Sequence, residues 1–187
     1  MLRDTALIPS EAIRLTALGV LTEAPRRYGE LAAEVRHFVS RIVGPSLDLM
    51  GSSLELLRHE GLVARTDGSA AGYTAPDVEL RITPGGRSEM EALLAAPLRG
   101  PINDFGKLVI ALKLRFLHLL PPAGRTAQIE LLTEICESEV ARLRDLKARV
   151  GANSGNLAPW LDHEIGQAEE RLAWFRALGQ RIADGKI

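Results

Sequence analysis

Apolar residues recur at intervals of three and four along most of this chain, the spacing that puts them on one side of an α-helix. Ile13, Ala17, Leu18 and Leu21 mark a first helix, with Ser10 placed to cap it and Glu11 in its first turn. Leu31, Val35, Phe38 and Ile42 mark a second, running from Tyr28 to Ile42 and closed by Gly44-Pro45. Leu47, Met50, Leu54 and Leu57 mark a third, from Ser46 to a C-terminal glycine at Gly61. The period then changes from helical to two. The stretches 62–66 and 78–82 read as strands, and residues 67–77, rich in Gly, Ala, Ser, Asp and Pro, read as the loop of a β-hairpin. Thr83 followed by Pro84 opens a closing helix that runs to Ala95.

Three helices, a hairpin and a closing helix, in that order, describe a winged helix-turn-helix. In such a domain the third helix enters the major groove of DNA and the hairpin is the wing. The groove just admits an α-helix, and each base pair shows a distinct hydrogen-bonding pattern there. The segment from Pro97 to Pro101 reads as a boundary, and the rest is helical. Phe105, Val109, Leu112, Phe116 and Leu119 mark one helix, which Pro121-Pro122 ends. Ile129, Leu132, Cys136, Val140, Leu143 and Val150 mark a long second one. Leu161, Ile165, Ala168, Leu172, Phe175 and Ile182 form a coiled-coil-type stripe on the last, widened by Trp174 and Leu178.

The expected architecture is therefore mainly α: a winged helix over 1–97 and an all-helical domain over 98–187. A helix apolar on two flanks packs against more than one partner. A homodimer is expected through Leu161, Ile165, Ala168, Leu172, Trp174 and Phe175. A self-contained helical hairpin is the alternative that the pattern leaves open.

Composition supports this picture, and charge complicates it. The chain has 187 residues, 46% hydrophobic and only 4% aromatic, so aliphatic side chains fill the core. Net charge is −1. Residues 1–99 hold 11 Arg and no Lys against 13 Asp and Glu, so the expected DNA-binding half carries no net positive charge. Phosphate contacts normally supply much of a DNA-binder's affinity, so the charge balance argues against the pattern.

The remaining chemistry is sparse. The single cysteine, Cys136, excludes an intrachain disulfide and a Cys-rich zinc site. His37, His59, His118 and His163 lack a second His at metal-ligand spacing, and Gln167 stands where a zinc-protease motif after His163-Glu164 needs one. No phosphate-binding glycine loop or nucleophile elbow is present. An enzyme is not expected, nor any cofactor or metal. No apolar run approaches the ~20 residues that span a membrane. Charged residues and Pro9 interrupt the N-terminus, so no signal peptide and no membrane partner are expected and the location reads as cytoplasmic.

The candidate site is accordingly a nucleic-acid surface. On the third helix Ser46, Ser52 and Ser53 offer hydrogen bonds, and Leu49 and Leu56 offer apolar contact to thymine methyls. Arg26 and Arg27, with Tyr28, stand at the start of the second helix, where free backbone N–H groups favour phosphate. Arg58 and Arg65 are further phosphate candidates, as are Arg14, Arg36 and Arg41. Trp160 and Trp174 are candidates for interface anchors or for lining a site for a small aromatic effector. The acidic balance and the Leu49/Leu56 face keep a second function open, a winged helix that binds proteins or senses small molecules.

Several segments resemble the PadR-like family of bacterial transcriptional regulators. Leu18-Gly19-Val20-Leu21 is similar to its first helix and Arg27-Tyr28-Gly29-Glu30-Leu31 to the opening of its second. Glu60-Gly61-Leu62-Val63 is similar to the end of its recognition helix, and Ile82-Thr83-Pro84-Gly85-Gly86-Arg87 to its strand-to-helix signature. Leu112 to Leu117, Asp162-His163-Glu164 and Trp174 resemble the subgroup with a virulence-activator-alpha type C-terminal domain. The resemblance implies a homodimer on double-stranded operator DNA, with C-terminal helices that clasp the partner subunit. It also implies regulation by small phenolic or drug-like molecules. Glu55 and Leu56 stand where many members carry polar or basic residues.

Overall fold

The computed structural model describes residues 7–43, 50–69, 75–98, 102–150 and 155–186, without the side chains of 43 and 50–53. It divides into two compact units, residues 1–97 with 103–120 and residues 98–102 with 121–187.

The first unit is built around α1 (Pro9–Glu23), whose residues from Ala12 to Leu21 are almost all buried. A helix apolar all round belongs at the centre of a core. Its start is not capped by Ser10. Pro9 takes the first helical position, and the Glu11 carboxylate accepts the Ile8 amide at 2.8 Å. Around α1 stand α2 (Tyr28–Val43), α3 (Met50–His59), α4 (Pro84–Ala95) and α5 (Asp104–Arg115), the last followed by a 3-10 turn, Leu117–Leu119.

Strands β1 (Arg26–Arg27), β2 (Val63–Arg65) and β3 (Glu79–Ile82) form an antiparallel sheet in the order β1-β3-β2. Val63 pairs with Ile82 and Arg65 with Leu80, which is the expected hairpin, and β1 adds an unexpected third strand. The fold is thus the winged helix that the pattern predicts.

The junction of β2, β3 and α4 explains the strand-to-helix signature. Thr83 caps α4 by accepting the Gly86 amide at 3.1 Å, and its hydroxyl donates to the Gly61 and Leu62 carbonyls at 2.7 and 3.1 Å. Gly86 packs directly against β2, since a Cβ there would sit 2.1 Å from the Leu62 oxygen. Before it, α3 ends on Gly61 at φ 70°, with the Gly61 and Leu62 amides returning to Arg58 and Leu57 carbonyls. This is the Schellman arrangement, and it turns the chain from α3 into β2.

Helix α5 lies beyond the expected boundary at residue 97, yet it packs on α1 and α2 as part of the first unit. Leu108, Val109, Leu112 and Phe116 are fully buried, and the Phe116 ring fills the space a side chain at Gly19 would need. Arg115 lies 5.0 Å from the rings of Phe38 and Phe116 and pairs with Glu34. Phe38 is therefore half-buried under a cation, and Val39 rather than Phe38 follows Leu31 and Val35 into the core. Lys113 is fully buried, and its ammonium donates to the Leu94 carbonyl and, at 2.7 Å, to that of Ala96. A buried lysine thereby caps the C-terminus of α4, where helical carbonyls lack partners.

The second unit is an antiparallel hairpin of α6 (Pro122–Arg149) and α7 (Leu157–Ala183). Ile129, Leu132, Cys136, Val140 and Leu143 meet Leu161, Ala168, Leu172 and Phe175 along one seam. Among the described residues no helix is long and apolar enough to cross a membrane.

Candidate nucleic-acid interface

A recognition helix must bury one side and offer the other. In α3, Leu54 and Leu57 are buried, while Glu55, Leu56 and His59 are exposed. Arg58 is half-buried at the end of the helix. Ser52 and Ser53 lie within α3 with their side chains outside the described residues, and Ser46 and Leu49 lie outside them entirely.

Arg26 and Arg27 occupy β1 instead of the first turn of α2. Alternation along a strand sends them to opposite faces of the sheet. Arg26 stands opposite buried Leu80, is half-buried, and donates to the Pro25 carbonyl at 3.3 Å. Arg27 stands opposite Glu79 and is exposed. Tyr28, half-buried, begins α2, but its amide donates to Val78 at 2.8 Å and that of Gly29 to Pro76 at 3.1 Å. Two of the amides expected to face phosphate are thus spent on the turn leading into β3.

Two further arginines have carboxylate partners. Arg14 grips Glu60 through both terminal nitrogens, at 3.0 and 2.5 Å, and reaches Glu89 at 3.1 Å. It joins α1 to the end of α3 and to α4, and is a structural bridge. In the wing, Arg65 holds Asp67 at 2.9 and 2.5 Å, and the Ser69 amide donates to the same carboxylate. These contacts, the Arg65 hydrogen bond first, hold the Asp67 carboxyl below the usual range. Arg36 and Arg41 are exposed on α2.

In the hairpin unit, Leu161, Ala168, Leu172 and Phe175 are already buried in the seam with α6, and Ile165 is half-buried. Of the six residues expected at a dimer interface, only Trp174 is strongly exposed, at 53%, with its ring edge-on to Phe175. Trp160 is exposed to 52%. The two tryptophans are 14 residues apart, close to four helical turns, and so share one flank of α7. Leu146 on α6 is also exposed. Among the described residues the ion pairs Arg144–Glu169, Lys147–Asp162, Arg171–Glu139 and Arg176–Glu137 cross the hairpin.

Comparison with known families returns a match to the family described as "Putative AphA-like transcriptional regulator", over residues 2–179. This chain belongs to that family. The likeness to PadR-like regulators read from its motifs therefore stands at family level. Among solved structures it is similar to Bacillus subtilis PadR and to the same protein in complex with p-coumaric acid. Each is 13% identical with a TM-score of 0.40, covering 95% of this chain and 98% and 99% of theirs. It is also similar to B. subtilis PadR in complex with operator DNA, at 14% identity and a TM-score of 0.37, covering 90% of this chain and 98% of that one. No curated protein matches.

Sequence reading of this AphA-like chain missed the roles of Glu60 and Glu89. Their signal lies in pairing with Arg14, 46 and 75 residues away, which no local pattern carries. The cap at Thr83 was legible, because Thr-Pro at a helix start is a local signal.

Proposed function

We propose that this transcriptional regulator acts by binding double-stranded DNA as a homodimer, with α3 in the major groove and the β2–β3 hairpin as the wing. The observation that carries the reading is the disposition of α3 within a winged helix. Leu54 and Leu57 anchor it to the core, and the opposite side faces solvent. Exposed Arg27, Arg36 and Arg41 supply phosphate contacts together with Arg26, Tyr28 and Arg58 at the rim. Ser46, Leu49, Ser52 and Ser53 are the proposed base-contacting residues by their place in the sequence alone. Arg65 is already held by Asp67 through Nε and one terminal nitrogen, so any phosphate competes with that carboxylate.

The partner subunit covers the flank of α7 that exposes Trp160 and Trp174. Trp160 and Trp174 are large aromatic side chains left exposed on one flank of α7, and aromatic anchors dominate protein interfaces. Two α3 helices in such a dimer would stand ~34 Å apart, one turn of DNA.

The test is fluorescence anisotropy on duplexes tiled from the protein's own promoter region, at increasing salt. Each phosphate contact contributes roughly 0.9 to the slope of log affinity against log salt. A slope corresponding to several contacts is expected for at least one segment. Absence of salt-sensitive binding to every segment at micromolar protein would refute the reading. Sedimentation of Trp160→Asp/Trp174→Asp beside the parent protein tests the dimer, and an unchanged mass would exclude that flank as the interface.

A further inference from the structure

Two large apolar side chains of the first unit are strongly exposed among its described residues, Ile8 at 52% and Leu56 at 49%. Ile8 precedes α1, whereas Leu56 lies on α3. At 100° per residue, Glu55 and Leu56 stand about 50° to either side of the direction opposite the buried Leu54–Leu57 edge. They therefore straddle the outward line of the helix. Among the described residues Glu55 makes no ion pair, in contrast to Glu60, which Arg14 holds.

This pair is unsuited to phosphate. A carboxylate repels it and a leucine has nothing to offer it. Base edges in the major groove present the complementary chemistry. Thymine shows a C5-methyl group for apolar contact, and cytosine an N4 amino donor that a carboxylate accepts. The cations that could supply affinity stand to the side of this pair, at Arg27, Arg36 and Arg41 off α3 and at Arg58 in its last turn.

We infer that Leu56 and Glu55 are specificity residues: Leu56 packs on a thymine methyl and Glu55 accepts a hydrogen bond from a cytosine amino group. The inference rests on the DNA-binding reading above. It divides the work, with sequence read by the Glu55–Leu56 edge of α3 and affinity drawn from the arginines around it.

The experiment uses the full chain to select duplexes from a randomised pool. The selected duplex is then remade with each thymine replaced in turn by uracil, which lacks the methyl group. Uracil at one position in each half-site is expected to weaken binding about fourfold, the worth of one buried methyl-sized group. Leu56→Ala should lose that sensitivity, and Leu56→Met, which keeps an apolar tip, should retain it. Glu55→Ala should lose discrimination at one cytosine, by about fivefold or more. Because both side chains are exposed, thermal unfolding of the variants should match the parent. If a duplex is selected but no uracil weakens binding, or Leu56→Ala keeps the full uracil penalty, the inference is overturned while DNA binding stands. If no duplex is selected, the DNA-binding reading fails and the inference falls with it.

Discussion

Replacing Gly86 by alanine should destabilise the first unit, although alanine ordinarily helps a helix by about 1 kcal/mol over glycine. Gly86 lies in the first turn of α4, where an ideal Cβ would meet the Leu62 carbonyl oxygen at 2.1 Å and Ile82 Cγ1 at 2.7 Å. Carbon and oxygen rest no closer than about 3.3 Å, so the α4 start and the β2 backbone must part by about 1 Å. The strain falls on the Leu62 carbonyl, which accepts both the amide and the hydroxyl of Thr83 at 3.1 Å. Those two hydrogen bonds contribute about 1 kcal/mol each. Overpacking against Ile82 adds about 1–3 kcal/mol. After the gain in helix propensity, a net loss of about 2–4 kcal/mol is expected.

Gly85→Ala is the matched control. It sits one residue earlier in the same turn, is exposed, and its Cβ would meet nothing nearer than 3.7 Å. That variant should be neutral or stabilised by up to about 1 kcal/mol. Urea unfolding followed by circular dichroism compares the two directly. Equal stability of Gly86→Ala and Gly85→Ala, within about 0.5 kcal/mol, would refute the account of this junction.

Three further outcomes follow from the packing. Gly19→Ala, whose Cβ would lie 2.5 Å from the Phe116 ring, should cost about 1–3 kcal/mol; Phe116→Leu in the same chain should recover part of it, and strict additivity would exclude the contact. Burial lowers the Lys113 pKa from 10.5 to about 8. Between those values the unfolded chain binds a proton that the folded one has released, so stability should rise with pH across about 8 to 10.5 relative to Lys113→Met, by up to roughly 3 kcal/mol; parallel urea-midpoint curves for the two proteins would contradict this. A fragment of residues 1–120 should unfold cooperatively and one of 1–97 should not, because the latter uncovers the core that Leu108, Leu112 and Phe116 close; a cooperative transition in 1–97 would show α5 to be dispensable.

Much of the fold was legible because its signals are local. The three-and-four spacing in α2, α3, α6 and α7, the glycine at 61 and the Thr-Pro pair at 83 each act within a few residues of themselves. Strand β1 was not legible, since two residues carry no period; it exists because Arg26 and Arg27 pair with Leu80 and Glu79 on β3. The candidate site was legible in outline only. Patterning placed the third helix, but the Arg14, Arg65 and Arg115 guanidiniums are held by Glu60 and Glu89, Asp67 and Glu34.

The sequence by itself determined which segments are helical, where the hairpin lies, and which side of each helix is apolar, because periodicity and chain-terminating residues are properties of neighbours along the chain. Only the tertiary structure decided what each apolar side meets. Pro97 to Pro101 breaks the helical pattern, yet α5 beyond it closes the first core, because hydrophobic burial follows complementary shape, as at Phe116 and Gly19. The stripe of Leu161, Ala168, Leu172 and Phe175 suits a second subunit or a self-contained hairpin, and α6 of the same chain covers it and leaves Trp160 and Trp174 outside. An apolar stripe specifies that it must be buried, and the hydrophobic effect, having no direction, leaves the partner to packing.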